Sequence, residues 1–141
     1  EENIMPYYNI HDLGMKREEV SPLAEIQSIV GELMKFGIVT YYKGEGSKPH
    51  YHPNDEQFVF ILEGRRLSIL GDEERIVGPG DILHIPRNTR HGATTLDEKC
   101  VSLVVKSPAG SGVLGEDYNE AKDADDVIRR LSDNLGQDIK Y

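Results

Sequence analysis

The chain has 141 residues, 38% of them hydrophobic and 29% charged, which is enough for one domain with its own core and argues against wholesale disorder. Its 16 Lys and Arg against 25 Asp and Glu leave a net charge of −9, which repels a phosphate backbone, and no basic stripe offsets it, so no nucleic acid partner is expected. No apolar run approaches a membrane span and the opening "EENIMPYYNI" has no signal-peptide core, so a cytoplasmic protein without a membrane partner is expected.

In chain order, residues 1–20 read as an N-terminal surface arm, with "MKREEV" a solvated stretch and His11 unrelated to any site. Residues 21–110 read as a series of short β-runs. "AEIQSIV" and "MKFGIVTYY" come first. After the break "KGEGSKP" come "QFVFIL", "RRLSIL", "ERIV", "DILHI" and "CVSLVVK", separated by "EGR", "GDEE", "GPGD" and "PRNTRHG". Those breaks are rich in tight-turn residues, and "GDEE" is the clearest hairpin signal. Regularly spaced strands of this size predict an all-β sandwich or barrel. The single Cys100 excludes an intrachain disulfide and a CxxC metal site, and it reads as a buried inert thiol. In residues 111–141, Ala121, Ala124, Val127, Ile128, Leu131 and Leu135 recur at helical spacing, with a stop signal at Asn134 to Gly136. This predicts one amphipathic helix packed on the outside of the barrel.

The chemistry concentrates in "HYHPNDEQFVFILEG". Residues two apart on a strand point to the same side, so His50 and His52 project together. His91 follows the turn-strand-turn unit "GPGDILHIPRNTR". If its strand lies across the barrel from the first pair, three imidazoles converge, a set suited to one divalent transition-metal ion (Fe, Mn, Zn or Ni) with positions left open.

These residues are ordered as in the cupin superfamily, whose motifs run G-x5-H-x-H-x4-E-x6-G and then G-x5-P-x-G-x2-H-x3-N. Gly44, His50, His52 and Gly64 match the first, and Gly80, Pro86 and His91 match the second. The resemblance implies a cupin double-stranded β-helix, a jelly-roll barrel, with one metal inside and usually assembled as a homodimer. Where the family has glutamate, the count back from Gly64 falls on Gln57, with Glu56 one residue earlier. Neighbours on a strand face opposite ways, so only one of them can look inward; Gln57 is expected, and a bulge near "PNDE" would select Glu56. Asn88 replaces the second motif's second glycine, a mild change because asparagine tolerates a left-handed backbone. Thr95 stands where the motif has asparagine.

A glutamine in that place changes the chemistry. Three neutral imidazoles and a neutral amide leave a divalent cation its full charge, which favours Lewis-acid work over a carboxylate's general-base role. Sites of three His and one Gln occur in cupins that linearise uronates in pectin breakdown, and in some hydroxynitrile lyases and polyketide cyclases of the fold. The string H-x-H-P-x-x-E-Q is most similar to the first group.

Other residues carry weaker expectations. One of Tyr41 and Tyr42 points inward as a donor to a substrate oxygen. Tyr41 and His84 are the catalytic candidates, although His84, between Leu83 and Ile85, reads more simply as space-filling. Lys106 and Arg90 are surface charges or carboxylate binders. Phe58 and Phe60, opposite Gln57, are expected in the inter-sheet core. The leading functional expectation is a non-redox lyase, isomerase or hydratase acting on a small oxygenated substrate. The alternatives are a non-haem iron or nickel dioxygenase, and a ligand-binding or sensing module without turnover.

Overall fold

A computed structural model describes residues 6–141 and shows two antiparallel sheets facing each other. A short 3-10 turn, Ile10–Asp12, precedes β1 (Lys16–Glu18), β2 (Ser21–Val30), β3 (Lys35–Tyr42), β4 (Gly46–Tyr51), β5 (Glu56–Glu63) and β6 (Arg66–Leu70). Then come β7 (Glu73–Val77), β8 (Ile82–Ile85), β9 (His91–Thr95), β10 (Lys99–Ser107), β11 (Asn119–Glu120) and the helix α1 (Ala124–Leu135). One sheet runs β1-β2-β3-β10-β5-β8 and the other β11-β4-β9-β6-β7. The interleaving of distant strands is that of a jelly roll.

The expected runs and turns are present, with two strands hidden in what reads as breaks. β4 begins inside "KGEGSKP". Gly46 serves it by close approach, since a Cβ there would stand 1.8 Å from the Ala93 carbonyl oxygen. β9 is "HGATT", which lacks the apolar alternation that marks a strand, yet all five of its residues are buried. The "GDEE" hairpin joins β6 to β7 with Leu70 opposite Glu73. Gly64, with φ of +77°, passes so close to β10 that a Cβ would meet the Lys99 carbonyl oxygen at 1.9 Å.

The core lies between the sheets and contains Ile26, Val59, Ile61, Leu83, Ile85 and Val104. Alternation along β5 therefore puts Val59 and Ile61 on the same side as Gln57. This corrects the placement of Phe58 and Phe60 in the core: they sit on the outer face, and Phe58 is half exposed. In a jelly roll the core and the ligand site share the inner face, so the face opposite Gln57 is the outside.

The "MKREEV" stretch also departs from expectation. Its β1 pairs with β2, and the buried Glu18 carboxylate accepts from the backbone N–H groups of Leu114 (2.7 Å) and Gly115 (2.8 Å). This strand end is a clamp on the segment after β10. The helix matches its prediction: Val127 and Leu131 pack on Ile69 of β6, with Leu67 and Ile139 beside them, and Gly136 at φ 66° terminates it. No helix among the described residues is long and apolar enough to cross a membrane.

Candidate metal centre and its cavity

Strand pairing brings the histidines together. His50 on β4 lies directly opposite His91 on β9, and His52 follows one residue beyond the end of β4. Each of the three offers one ring nitrogen, and these atoms lie within 4.8 Å of one another. All three residues are buried.

The other ring nitrogens are occupied by main-chain carbonyls. His50 Nδ1 donates to Lys48 O at 2.5 Å and His91 Nδ1 to Thr89 O at 2.9 Å. His52 Nδ1 lies 2.9 Å from Glu116 O and 3.1 Å from Asp117 O. Carbonyls only accept, so each Nδ1 must carry the proton, and the Nε2 lone pairs turn toward the common centre. Asn88, with φ 59° at its left-handed position, donates its N–H to the His52 carbonyl and fixes that end of the segment.

Burial also keeps the rings neutral. It pulls His50 down to about 3 and His91 well below the ordinary 6.5, the latter reinforced by the neighbouring His50. His52 is lowered by burial and then by the Lys106 ammonium, while Asp55 pulls the other way. Three neutral imidazoles, held by carbonyls, with lone pairs facing one another in a buried pocket, are a set of donors that could hold a metal ion.

Gln57 lies beside this cluster. It is buried on β5, and its amide end lies 3.2 Å from His91 Nε2. Glu56 faces outward, where its Oε2 lies 2.6 Å from His84 Nε2. His84 is 47% exposed and stacks on Phe58, with ring centroids 4.6 Å apart. The structure thus brings His50, His52, His91 and Gln57 together and leaves His84 and Glu56 on the other side of the sheet. Of the tyrosines, Tyr41 faces the cavity and Tyr42 is exposed. Burial raises the Tyr41 phenol, which keeps its proton, with Ser21 pulling weakly the other way. His11 lies in the 3-10 turn of the arm.

The imidazoles line one end of a cavity of about 110 Å³ inside the barrel. Lys106, read from sequence as a surface charge or a carboxylate binder, is 2% exposed and lines this cavity. Its Nζ lies 3.1 Å from Asp55 Oδ2 and donates to Leu114 O at 2.8 Å. Burial lowers the ammonium and Asp55 holds it up. Arg90 pairs with Asp123 at the surface. Tyr118 stacks on His50 with centroids 4.6 Å apart. Sequence reasoning missed Asp55 and Tyr118. Asp55 stood in the open as an acidic residue three positions after His52, but nothing in the string showed that it turns inward.

Residues 37–106 match the family model described as a cupin domain, and the chain belongs to the cupin superfamily. It is 29% identical over 76 residues to the pectin degradation protein KdgF of Dickeya dadantii, covering 54% of this chain and 69% of that protein. Among solved structures it is similar to KdgF from Halomonas sp., with a TM-score of 0.70 and 22% identity over 79% of this chain and 100% of that one. It is also similar to the polyketide cyclase RemF from Streptomyces resistomycificus, with a TM-score of 0.64 and 22% identity over 74% of this chain and 80% of that one. At these identities the two structures speak for the fold alone.

Proposed function

We propose that the protein is a metal-dependent cupin enzyme that acts on a small oxygenated organic molecule without net redox change, as a lyase, isomerase or hydratase. The observation that carries this reading is the donor set itself: three neutral imidazoles and the neutral amide of Gln57, with the Glu56 carboxylate turned outside and the buried Asp55 carboxylate engaged by Lys106. A cation held by His50, His52, His91 and Gln57 supplies Lewis acidity toward a carbonyl or hydroxyl oxygen. The relationship to a pectin degradation protein makes sugar-derived carbonyl compounds the first class to assay.

The chain's own residues do the rest. Lys106, paired with Asp55, places positive charge beside the imidazoles and steadies negative charge developing on the substrate. It is also the nearest reservoir of protons on the Gln57 side, since it stands directly opposite Gln57 across β5 and β10. Tyr41, kept as a phenol, donates to a substrate oxygen from the other wall. The apolar walls, Val59, Leu83, Ile85 and Val104 among them, exclude bulk water. His84 is outside the cavity and takes no part. The apolar outer face around Phe58, Leu62 and Ile82 is the surface we assign to a homodimer contact.

The test is turnover of sugar-derived aldehydes and ketones by protein reconstituted with Zn²⁺ or Mn²⁺ under nitrogen, followed by NMR, beside an oxygen-electrode trace with Fe²⁺. The reading predicts product without oxygen. Product formed only with iron and with oxygen consumed would replace it by the dioxygenase reading. Tight ligand capture with no product under any metal would replace it by a binding module.

A further inference from the structure

The cavity does not stop at the imidazoles. It continues along the inner face of β6, where Arg66 and Ser68 line it. Two positions apart on one strand, they point the same way. Leu70 lies opposite His91 and Arg66 opposite Thr95, so Arg66 is four positions along the sheet from the histidine. That is about 13 Å of strand at the usual rise per residue.

Among the described residues, Arg66 Nε and Ser68 Oγ are buried without a hydrogen bond. The groups whose charge would reach the guanidinium are Cys100 and Tyr41, and burial holds both in their neutral protonated forms. Among the described residues the two buried lysines are treated differently: Lys35 is paired with Glu116 and Lys106 with Asp55. A guanidinium keeps its charge even when burial opposes it, and a buried charge without a counter-ion is costly. A guanidinium whose Nε is unanswered, beside a free hydroxyl on one wall of a cavity, is the complement of a planar anion.

We propose that Arg66 and Ser68 form an anion subsite at the far end of the barrel, taking the carboxylate of a small hydroxy or oxo acid whose other end reaches the imidazole cluster. The guanidinium donates from Nε and a terminal nitrogen to the two carboxylate oxygens, and Ser68 Oγ donates to one of them. The second half of the statement rests on the reading of the cluster as the reacting end; the anion subsite stands without it.

The probes are two acids, L-lactate and D-gluconate, and their neutral counterparts propane-1,2-diol and D-glucitol. They are titrated into the full chain with Zn²⁺ and after EDTA treatment. Binding is read by calorimetry and by the arginine Nε–H resonances, with Arg66 assigned through its loss in Arg66→Met. At least one acid should shift the Arg66 signal, with or without zinc, and its neutral counterpart should not. Affinity should fall about ten- to hundredfold in Arg66→Met and about tenfold in Ser68→Ala, the scale of hydrogen bonds to a charged group. Arg66→Lys, which keeps the charge and loses the fork, should fall between wild type and Arg66→Met. Without ligand, Arg66→Met should melt higher than the wild type, because an unpaired charge has been removed. A lower melting temperature for Arg66→Met, or binding of neither acid, overturns the subsite, as does acid binding that needs zinc and ignores Arg66. Arg66-dependent binding in a protein that fails to take up zinc would keep the subsite and remove the metal reading.

Discussion

The two sides of β5 carry nearly the same residue types and do opposite things. Inside, Asp55 meets Lys106 at 3.1 Å and Gln57 meets His91 at 3.2 Å, with every one of these residues buried. Outside, Glu56 meets His84 at 2.6 Å with both side chains about half exposed. An imidazole on the inner face is stripped of water, loses its charge and keeps a free lone pair. An imidazole on the outer face stays solvated and has its Nε2 taken by a carboxylate. Whether a histidine here is buried or solvated follows the face of the sheet it occupies, and that face sets the dielectric around it.

That contrast can be broken from either side. The largest effect should come from the inner ion pair. Lys106→Met leaves Asp55 as an uncompensated buried charge and should cost about 3–5 kcal/mol in urea unfolding; adding Asp55→Leu should restore much of it, and an unchanged midpoint in the single variant would mean that the pair is not buried. Next is the cluster. Loss of residues that only orient a ligand costs about 10–100-fold in metal affinity, so His91→Ala, which removes a ring, should exceed about hundredfold in chelator competition. Gln57→Ala should weaken metal retention by about tenfold or more, whereas Glu56→Ala should leave it unchanged; the reverse result would shift the register of β5 by one residue.

The pH response has a defined sign. In the metal-free protein, His50 is held near 3 when folded and returns to about 6.5 when unfolded. Between those values the unfolded chain binds the extra proton, so stability is full above about pH 6.5 and is lost as pH falls toward the folded value, by about 1.4 kcal/mol per pH unit for this ring alone. His91 and His52 act in the same direction. Thermal melts of EDTA-treated protein between pH 7 and pH 4 check this, and a flat profile contradicts the neutral cluster. The smallest effect is on the outer face: His84→Ala and Glu56→Ala should each stay within about 0.5 kcal/mol, as solvent-screened surface pairs do.

The motif residues made the barrel and the imidazole cluster legible, because glycines at tight approaches and histidines at period two are demanded by backbone geometry. Other parts were hidden for identifiable reasons. β9 carries a histidine, a glycine, an alanine and two threonines, so its burial left no hydrophobic pattern to read. In "RRLSIL" the apolar Leu67 and Ile69 suggest the inner face, yet they pack under α1, and the polar Arg66 and Ser68 turn into the barrel. Both sides of that strand are covered, which alternation alone does not distinguish. Phe58 and Phe60 misled for the complementary reason, as large apolar residues on an uncovered outer face. Tyr118 and the carbonyls of Glu116 and Asp117 reach the site only through long-range packing: Glu18 holds the N–H groups of Leu114 and Gly115, and Lys35 pairs with Glu116.

The most direct measurement is anomalous scattering from crystals grown with Zn²⁺. The account predicts one strong peak per chain, at bonding distance from the free ring nitrogens of His50, His52 and His91 and next to the amide oxygen of Gln57. No peak there, or a peak beside Glu56 and His84 on the outer face, would contradict it.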